Sequence, residues 1–396
     1  VDALVLTGDL ADTSNKAFEA FGTLERVLRR LADAGLPVLA VAGDHDFDVV
    51  PAVVDAVGSP LVHVLGRGQT WDTAPVLRAG REVLRLVGWS FAGAQAAESP
   101  LSTYPTDAPL PGVPLVGVLH ADVDAPQSRT APVALEALRA VPVSAWLLGG
   151  GHDARMVPGD AGSGAPLIVS PGSLQPLGPD EPGVHGAALV TVYPDGRATA
   201  ERLPLATVHY ATVEVDLSDA ADAAQARALC ALALREHAAA VHEASPAVLR
   251  AVTTVRLTGR TDAFDAVDAL AEELRSDGDL PHAGVTVGVA RVEVAAGPLL
   301  DLGRLAAGSG AVATLARLSA RLGTDGPLDE AALDASDRAL VARAVRAVRT
   351  ARAARVFESL GADGRLADDV TAEAVGRLRR QVSRLLGTAL AQNSDV

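Results

Sequence analysis

Four short stretches crowd carboxylates and imidazoles at the ends of apolar runs: GDLAD (residues 8–12), VAGDHDFD (41–48), LHADVD (119–124) and GGGHD (149–153). Carboxylate oxygens suit hard divalent cations and imidazole suits intermediate ones, so a mixed Asp and His cluster fits Mn²⁺, Mg²⁺, Fe²⁺ or Zn²⁺. Two such ions about 3.5–4 Å apart activate a water and stabilise both oxygens of an in-line phosphoryl displacement. A carboxylate between them serves as the bridge, and Asp9, in a tight turn after an apolar run, stands where that job is done. Taken singly, each stretch also has a plain structural reading. A Gly-Asp after a strand is commonly a turn or a helix N-cap. By the same standard His120 reads as a core histidine, His152 as a loop residue, and Asp122 and Asp124 as turn formers. The joint pattern argues for a site: Asp, then Asp-His-Asp, then His, then a Gly-rich His, each following an apolar run.

The elements that must position these groups are legible between residues 3 and about 200. Apolar runs (ALVLTG, PVLAVAG, LVHVLG, EVLRLVGWS, PLVGVLH, AWLLGG, PLIVSPG, AALVTVYP) alternate with helical patterns near 17–34 and after Asp48. Such alternation predicts an α/β layered domain with much parallel pairing, whose chemistry sits in loops at the carboxyl ends of strands. A second unit begins near Leu205: HYATVEVDLS, an Ala-rich helix over 219–243, AVTTVRLTG, a helix over 262–275 and VTVGVARVEV make a small β-α-β-α-β module. From about Leu299 the chain turns helical and charged. In its last helix Val375, Leu378, Val382, Leu385 and Ala389 recur at spacings of three and four, an apolar seam expected to pack on its own neighbours rather than on a partner.

Bulk properties narrow the function classes. No stretch of 18 or more residues is apolar without charged or polar interruption, so no membrane span is predicted. Cys230 is the only cysteine, which excludes an intramolecular disulfide and fits a reducing, cytoplasmic setting. A net charge of −15 over 396 residues argues against non-specific nucleic-acid binding across the surface, although bound cations would invert the field locally. Lys16 is the only lysine and no GxxxxGK[ST] surrounds it, so a P-loop ATPase is excluded. Val1 runs straight into the first apolar run, so a preceding segment, with any targeting signal, is expected to belong to the natural protein.

The order GDxxD, GNHD, H, GHxH is the signature of calcineurin-like metallophosphoesterases, and GDLAD, GDHD, LH and GGGH resemble it in that order. Within the superfamily the chain is similar to SbcD-type DNA repair exonucleases of the YhaO-like branch. LHADVDAP, TAPVALEALRA and SPGSLQPLGPDEPGVHGAALV resemble further stretches of that branch, so the likeness is strong to about residue 200 and topological beyond. It implies a metallophosphoesterase β-sandwich flanked by helices over 1–204, a small α/β capping domain over 205–298 and a helical C-terminal region over 299–396. It implies two divalent ions, Mn²⁺ foremost, with Asp9 bridging, Asp44 and His120 on the second metal and His152 on the first. His45 would be the catalytic imidazole, Asp12 would hold its tautomer, and Asp46 would support the metal ligands from behind. Asp48 reads as a helix N-cap. DNA is the implied substrate and an SMC-like coiled-coil ATPase the implied partner. Members commonly form homodimers, for which the sequence carries no local signal.

Departures qualify the likeness. The family's DxH motif would precede ALVLTGD and is not in this sequence. Gly150 stands where GHxH has its first His, Asp44 replaces the Asn of GNHD, and Pro176-Leu177-Gly178 replace an Arg-His pair. The Asp44 and Gly150 changes read as coupled, an anionic ligand gained where an imidazole is lost. The leading expectation is a two-metal nuclease; the alternatives are a catalytically weakened binding or scaffold subunit, and a phosphodiesterase for a smaller substrate.

Overall fold

The computed structural model describes residues 1–394 apart from 15–18, 106–111, 161, 163, 277–278, 300–301, 324–327 and 354–364. The expected start of the first helix at residue 17 lies outside the described residues. The chain is mixed α/β and divides into two compact units, 1–210 with 244–248, and 211–243 with 249–396. Residues 205–298 and 299–396 therefore share a unit for most of their length.

The first unit begins β1 (Leu4–Thr7), α1 (Phe21–Asp33), β2 (Val38–Val41), α2 (Val49–Val57) and β3 (Val62–Val64). β1, β2 and β3 form a parallel sheet in that order. The chain continues through β4 (Trp71–Arg78), β5 (Arg81–Trp89), β6 (Leu115–His120), β7 (Asp122–Val123), β8 (Pro132–Val133) and α3 (Leu135–Arg139). β9 (Ala145–Gly149), β10 (Arg155–Val157), β11 (Leu167–Ser170), β12 (Gly186–Val192) and β13 (Ala198–Pro204) complete it. A six-stranded sheet runs β10-β11-β9-β6-β5-β4, parallel at its centre and antiparallel at both edges.

Strand alternation explains the layering. Leu4, Leu6, Val38 and Ala40 face α1 and α2, where they pack on Leu28, Val50 and Val53. Val5, Leu39 and Val41 face the other way, against Val76, Leu86, Val116, Val118 and Val169 of the larger sheet. The larger sheet's second face, with Trp89, Leu119, Trp146 and Ile168, packs on Leu135 and Leu138 of α3. Both faces of β2 and β6 are thus covered, which is why these strands read as continuous apolar runs. β4 was not expected: only Val76 of WDTAPVLR is buried and the rest is half-buried or exposed, so it does not read as an apolar run.

In the second unit, β14 (Val208–Asp216), which starts in the first, is followed by α4 (Ala223–Ala244), β15 (Arg250–Thr258), β16 (Arg260–Thr261), α5 (Val267–Ser276), β17 (Leu280–His282), β18 (Val285–Val294) and β19 (Gly297–Pro298). The sheet order is β14-β15-β18-β17. Among the described residues the α-helices that follow are α6 (Leu302–Ala306), α7 (Gly310–Leu322), α8 (Ala335–Ala353) and α9 (Arg365–Ser394). The seam of α9 packs on its own neighbours, with Val375, Leu378 and Val382 against Leu322, Leu333 and Val341. It continues through Leu386, which is fully buried, and not through the expected Leu385, which is 50% exposed. After Val382 the step of four keeps the helical stripe on one side where three does not. Ala389 lies outside the residues whose side chains are described. Among the described residues no helix is long and apolar enough to cross a membrane.

Candidate metal centre

Three strand ends converge. Asp9 follows β1, Asp44 follows β2 and His120 closes β6. One ligand atom each from Asp9, Asp44 and His45 lies within 4.8 Å of the others. Nε2 of His120 lies 3.2 Å from Oδ1 of Asp44 and 3.4 Å from Oδ2 of Asp9.

The local backbone is built for this approach. Asp9 takes a left-handed φ of 54°, turning the chain sharply out of β1 and bringing Oδ1 to accept the His45 amide at 3.1 Å. Its carboxylate lies against the Cα of Gly43, where a Cβ would stand 2.1 Å from Oδ1, so only glycine fits there. Asp46 joins the two loops from beneath. It is fully buried and accepts the Leu10 amide at 2.6 Å and the Gly43 amide at 2.7 Å. Burial raises its pKa, opposed by these amide bonds. Ser90, also fully buried, accepts the Ala42 amide at 2.9 Å and donates to the Leu65 carbonyl, holding the end of β2.

His120 is 3% exposed, with Nδ1 donating to the Thr7 carbonyl at 2.9 Å, so Nε2 is the nitrogen presented to the two carboxylates. Burial opposes its charging, but contacts with Asp44, Asp9 and Thr7 outweigh that and push its pKa up to about 10. Two carboxylates and one oriented imidazole around a point that favours positive charge make a donor set fit for a divalent cation of the Mn²⁺, Fe²⁺ or Zn²⁺ type. As a ligand, His120 would be neutral at Nε2, so binding of a cation would be linked to loss of its proton.

At the rim, Nδ1 of His45 is 3.0 Å from Oδ2 of Asp12. Asp12 is held ionised, its pKa lowered to about 2 first by the Ser14 hydroxyl and amide and then by His45. An ionised carboxylate only accepts, so Nδ1 carries the proton and Nε2 is left to face outward or toward Asp44, 3.7 Å away. Burial opposes charging of His45 too, and the contact with Asp12 and the fields of Asp9 and Asp44 raise its pKa. Ser14 was not expected from the sequence; a serine two residues after Asp is a common Asx-turn partner and was the available signal.

His152 stands apart from this group. It is 59% exposed and its Nδ1 pairs with Glu181, a partner the sequence did not indicate because it lies 29 residues away. Among the described residues the group of three ligand atoms that lie together is Asp9, Asp44 and His45, with His120 reaching its two carboxylates and His152 outside it. Gly150 does more than lack an imidazole: its φ is +109° and a Cβ would stand 2.7 Å from the Ala121 carbonyl oxygen. Asp48 occupies the N-cap position of α2, but with helical φ and ψ and no side-chain cap bond, which corrects its expected role.

No protein-family model matches the chain. Over 201 residues it is 24% identical to a protein of Bacillus subtilis (strain 168) described as "Uncharacterized metallophosphoesterase YhaO", a match covering 48% of this chain and 46% of that protein. The likeness supports the calcineurin-like metallophosphoesterase superfamily. The chain spans about half the length of that relative. The α/β layers and the Asp, Asp and His cluster agree with a metallophosphoesterase fold, a superfamily that works with divalent metal ions.

Proposed function

We propose that this chain is a metal-dependent phosphoesterase, and more narrowly an SbcD-like nuclease that hydrolyses DNA phosphodiester bonds with Mn²⁺. The approach of buried His120 to Asp9 and Asp44, with His45 beside those carboxylates and paired to Asp12 at the rim, carries the reading. Asp9, Asp44 and His120 would hold a cation, which supplies Lewis acidity and a more acidic bound water. His45 contributes the proton chemistry. With Nδ1 held by Asp12, Nε2 would be the nitrogen left to meet a phosphate oxygen, to orient it or to protonate the leaving group. Asp46 keeps the two ligand-bearing loops in register.

Two ions and the His152 ligand follow from the family resemblance, as do an SMC-like ATPase partner and a cytoplasmic setting. Gly150 favours a second reading, a weakened member that acts as a binding subunit, because one imidazole of the second site is gone. The deciding assay is Mn²⁺-dependent hydrolysis of single-stranded and double-stranded DNA beside His45→Ala. Activity that His45→Ala abolishes supports the nuclease; equal background from both proteins supports the binding subunit.

A further inference from the structure

A cavity of about 210 Å³ opens at the carboxyl ends of β6, β9 and β11, across the Gly149 backbone from His120. Its floor is Ala121, Val123, Leu135, Leu148 and Ile168, and Gly149 and Gly151 line it without side chains. The strand ends that wall it also carry the site. Gly149 pairs in register with His120, and its carbonyl accepts the Ala121 amide at 3.1 Å. A Cβ on Gly149 would stand 1.9 Å from the Thr7 carbonyl oxygen and 2.8 Å from Nδ1 of His120, so the Gly149 backbone alone separates the cavity from the inner edge of that imidazole.

We propose that this cavity seats one neutral ring of nucleobase size, belonging to the substrate whose phosphate lies at the metal cluster. The inference rests on the phosphoesterase reading for where that phosphate sits. Size selects a single ring system, since a closed apolar cavity of about 150 Å³ holds benzene. A base pair does not fit, so the seated nucleotide is unpaired. Charge selects a neutral group. The lining carries Asp122 and Asp153 against the one base Arg155, so a further phosphate is repelled while the amino or imide edge of a base meets acceptors. Asp122 is held in place by the Ser128 and Thr130 hydroxyls.

The test is calorimetric binding of thymidine 5′-monophosphate and of inorganic phosphate in the presence of Mn²⁺, to the unaltered protein and to Gly151→Phe and Ala125→Phe. Gly151 has open space where a Cβ would stand, so the larger side chain does not threaten folding. Burying one ring predicts that the nucleotide binds about tenfold or more tighter than phosphate. Both variants should lose that ratio while keeping their affinity for Mn²⁺ and phosphate. Absent nucleotide binding, equal affinity for the two ligands, or a ratio that survives both substitutions would overturn the assignment. Hydrolysis of methyl p-nitrophenyl phosphate, which carries no base, tests the phosphoesterase reading separately. Its failure beside an intact binding ratio would reject hydrolysis and still support the occupant.

Discussion

Replacing Asp46 by Asn tests whether the metal centre depends on a buried carboxylate that touches no cation. Asp46 accepts two backbone amides, Leu10 at 2.6 Å from the first loop and Gly43 at 2.7 Å from the second. An amide side chain keeps one acceptor and turns its NH₂ on the other backbone N–H, leaving a buried donor unsatisfied at a cost of about 1–3 kcal/mol. Removing a desolvated charge close to Asp9 returns part of this, so a net loss of about 1–2 kcal/mol is expected. For a unit of this size that lowers the melting temperature by about 2–8 °C. The second consequence is functional. Asp9 and Asp44 ride on the two loops that Asp46 joins, so Mn²⁺ affinity should fall about 10–100-fold, the range seen when support behind a metal ligand is removed. Scanning calorimetry and titration calorimetry read the two effects, with Asp33→Asn on the exposed side of α1 as the neutral control. An unchanged melting temperature together with unchanged Mn²⁺ affinity would refute the reasoning.

Asp44→Ala removes a carboxylate that lies 3.2 Å from Nε2 of His120, and Mn²⁺ affinity measured by titration calorimetry should drop at least about tenfold; unaltered binding would sink both its ligand role and the idea that it compensates for Gly150. Gly150→His should not rebuild a ligand, because the φ of +109° and the Ala121 oxygen oppose any side chain. A stability loss of about 1–3 kcal/mol is expected by thermal melting, and tighter Mn²⁺ binding at unchanged stability would contradict it. Cys230 is fully buried, and burial raises its pKa from 9.0 to about 11, so iodoacetamide at pH 8 should modify it only after denaturant is added; rapid labelling of the native protein would count against this. A raised folded-state pKa means that its contribution to stability is complete below about pH 9 and lost as pH rises through about 11. Cys230→Ala should therefore flatten the alkaline decline in melting temperature over that window.

The layered α/β architecture was legible because strands covered on both faces, such as β2 and β6, must be continuous apolar runs. Strands β4 and β13 escaped notice because nearly all their residues are half-buried or exposed and mix polar with apolar. In α9 the periodicity identified the seam and its packing, yet a one-residue choice between Leu385 and Leu386 was settled only by the helices packed against it.

At the site, residue types and order pointed to Asp9, Asp44, His45 and His120; parallel pairing of β1 with β2 brings the first three to one end, whereas His120 arrives from the other sheet. Sequence also singled out His45 with Asp12 and Asp46 as supporting groups. Tertiary structure alone decided which atoms meet. Nδ1 of His120 on the Thr7 carbonyl, the Leu10 amide on Asp46 and the His152–Glu181 pair join residues 113, 36 and 29 positions apart. The cavity beyond Gly149 is of the same kind, assembled from four segments of chain that no local pattern connects. Short-range spacing records what a strand or helix must bury, whereas contacts across such distances exist only once the sheets have stacked and the loops have closed over their ends.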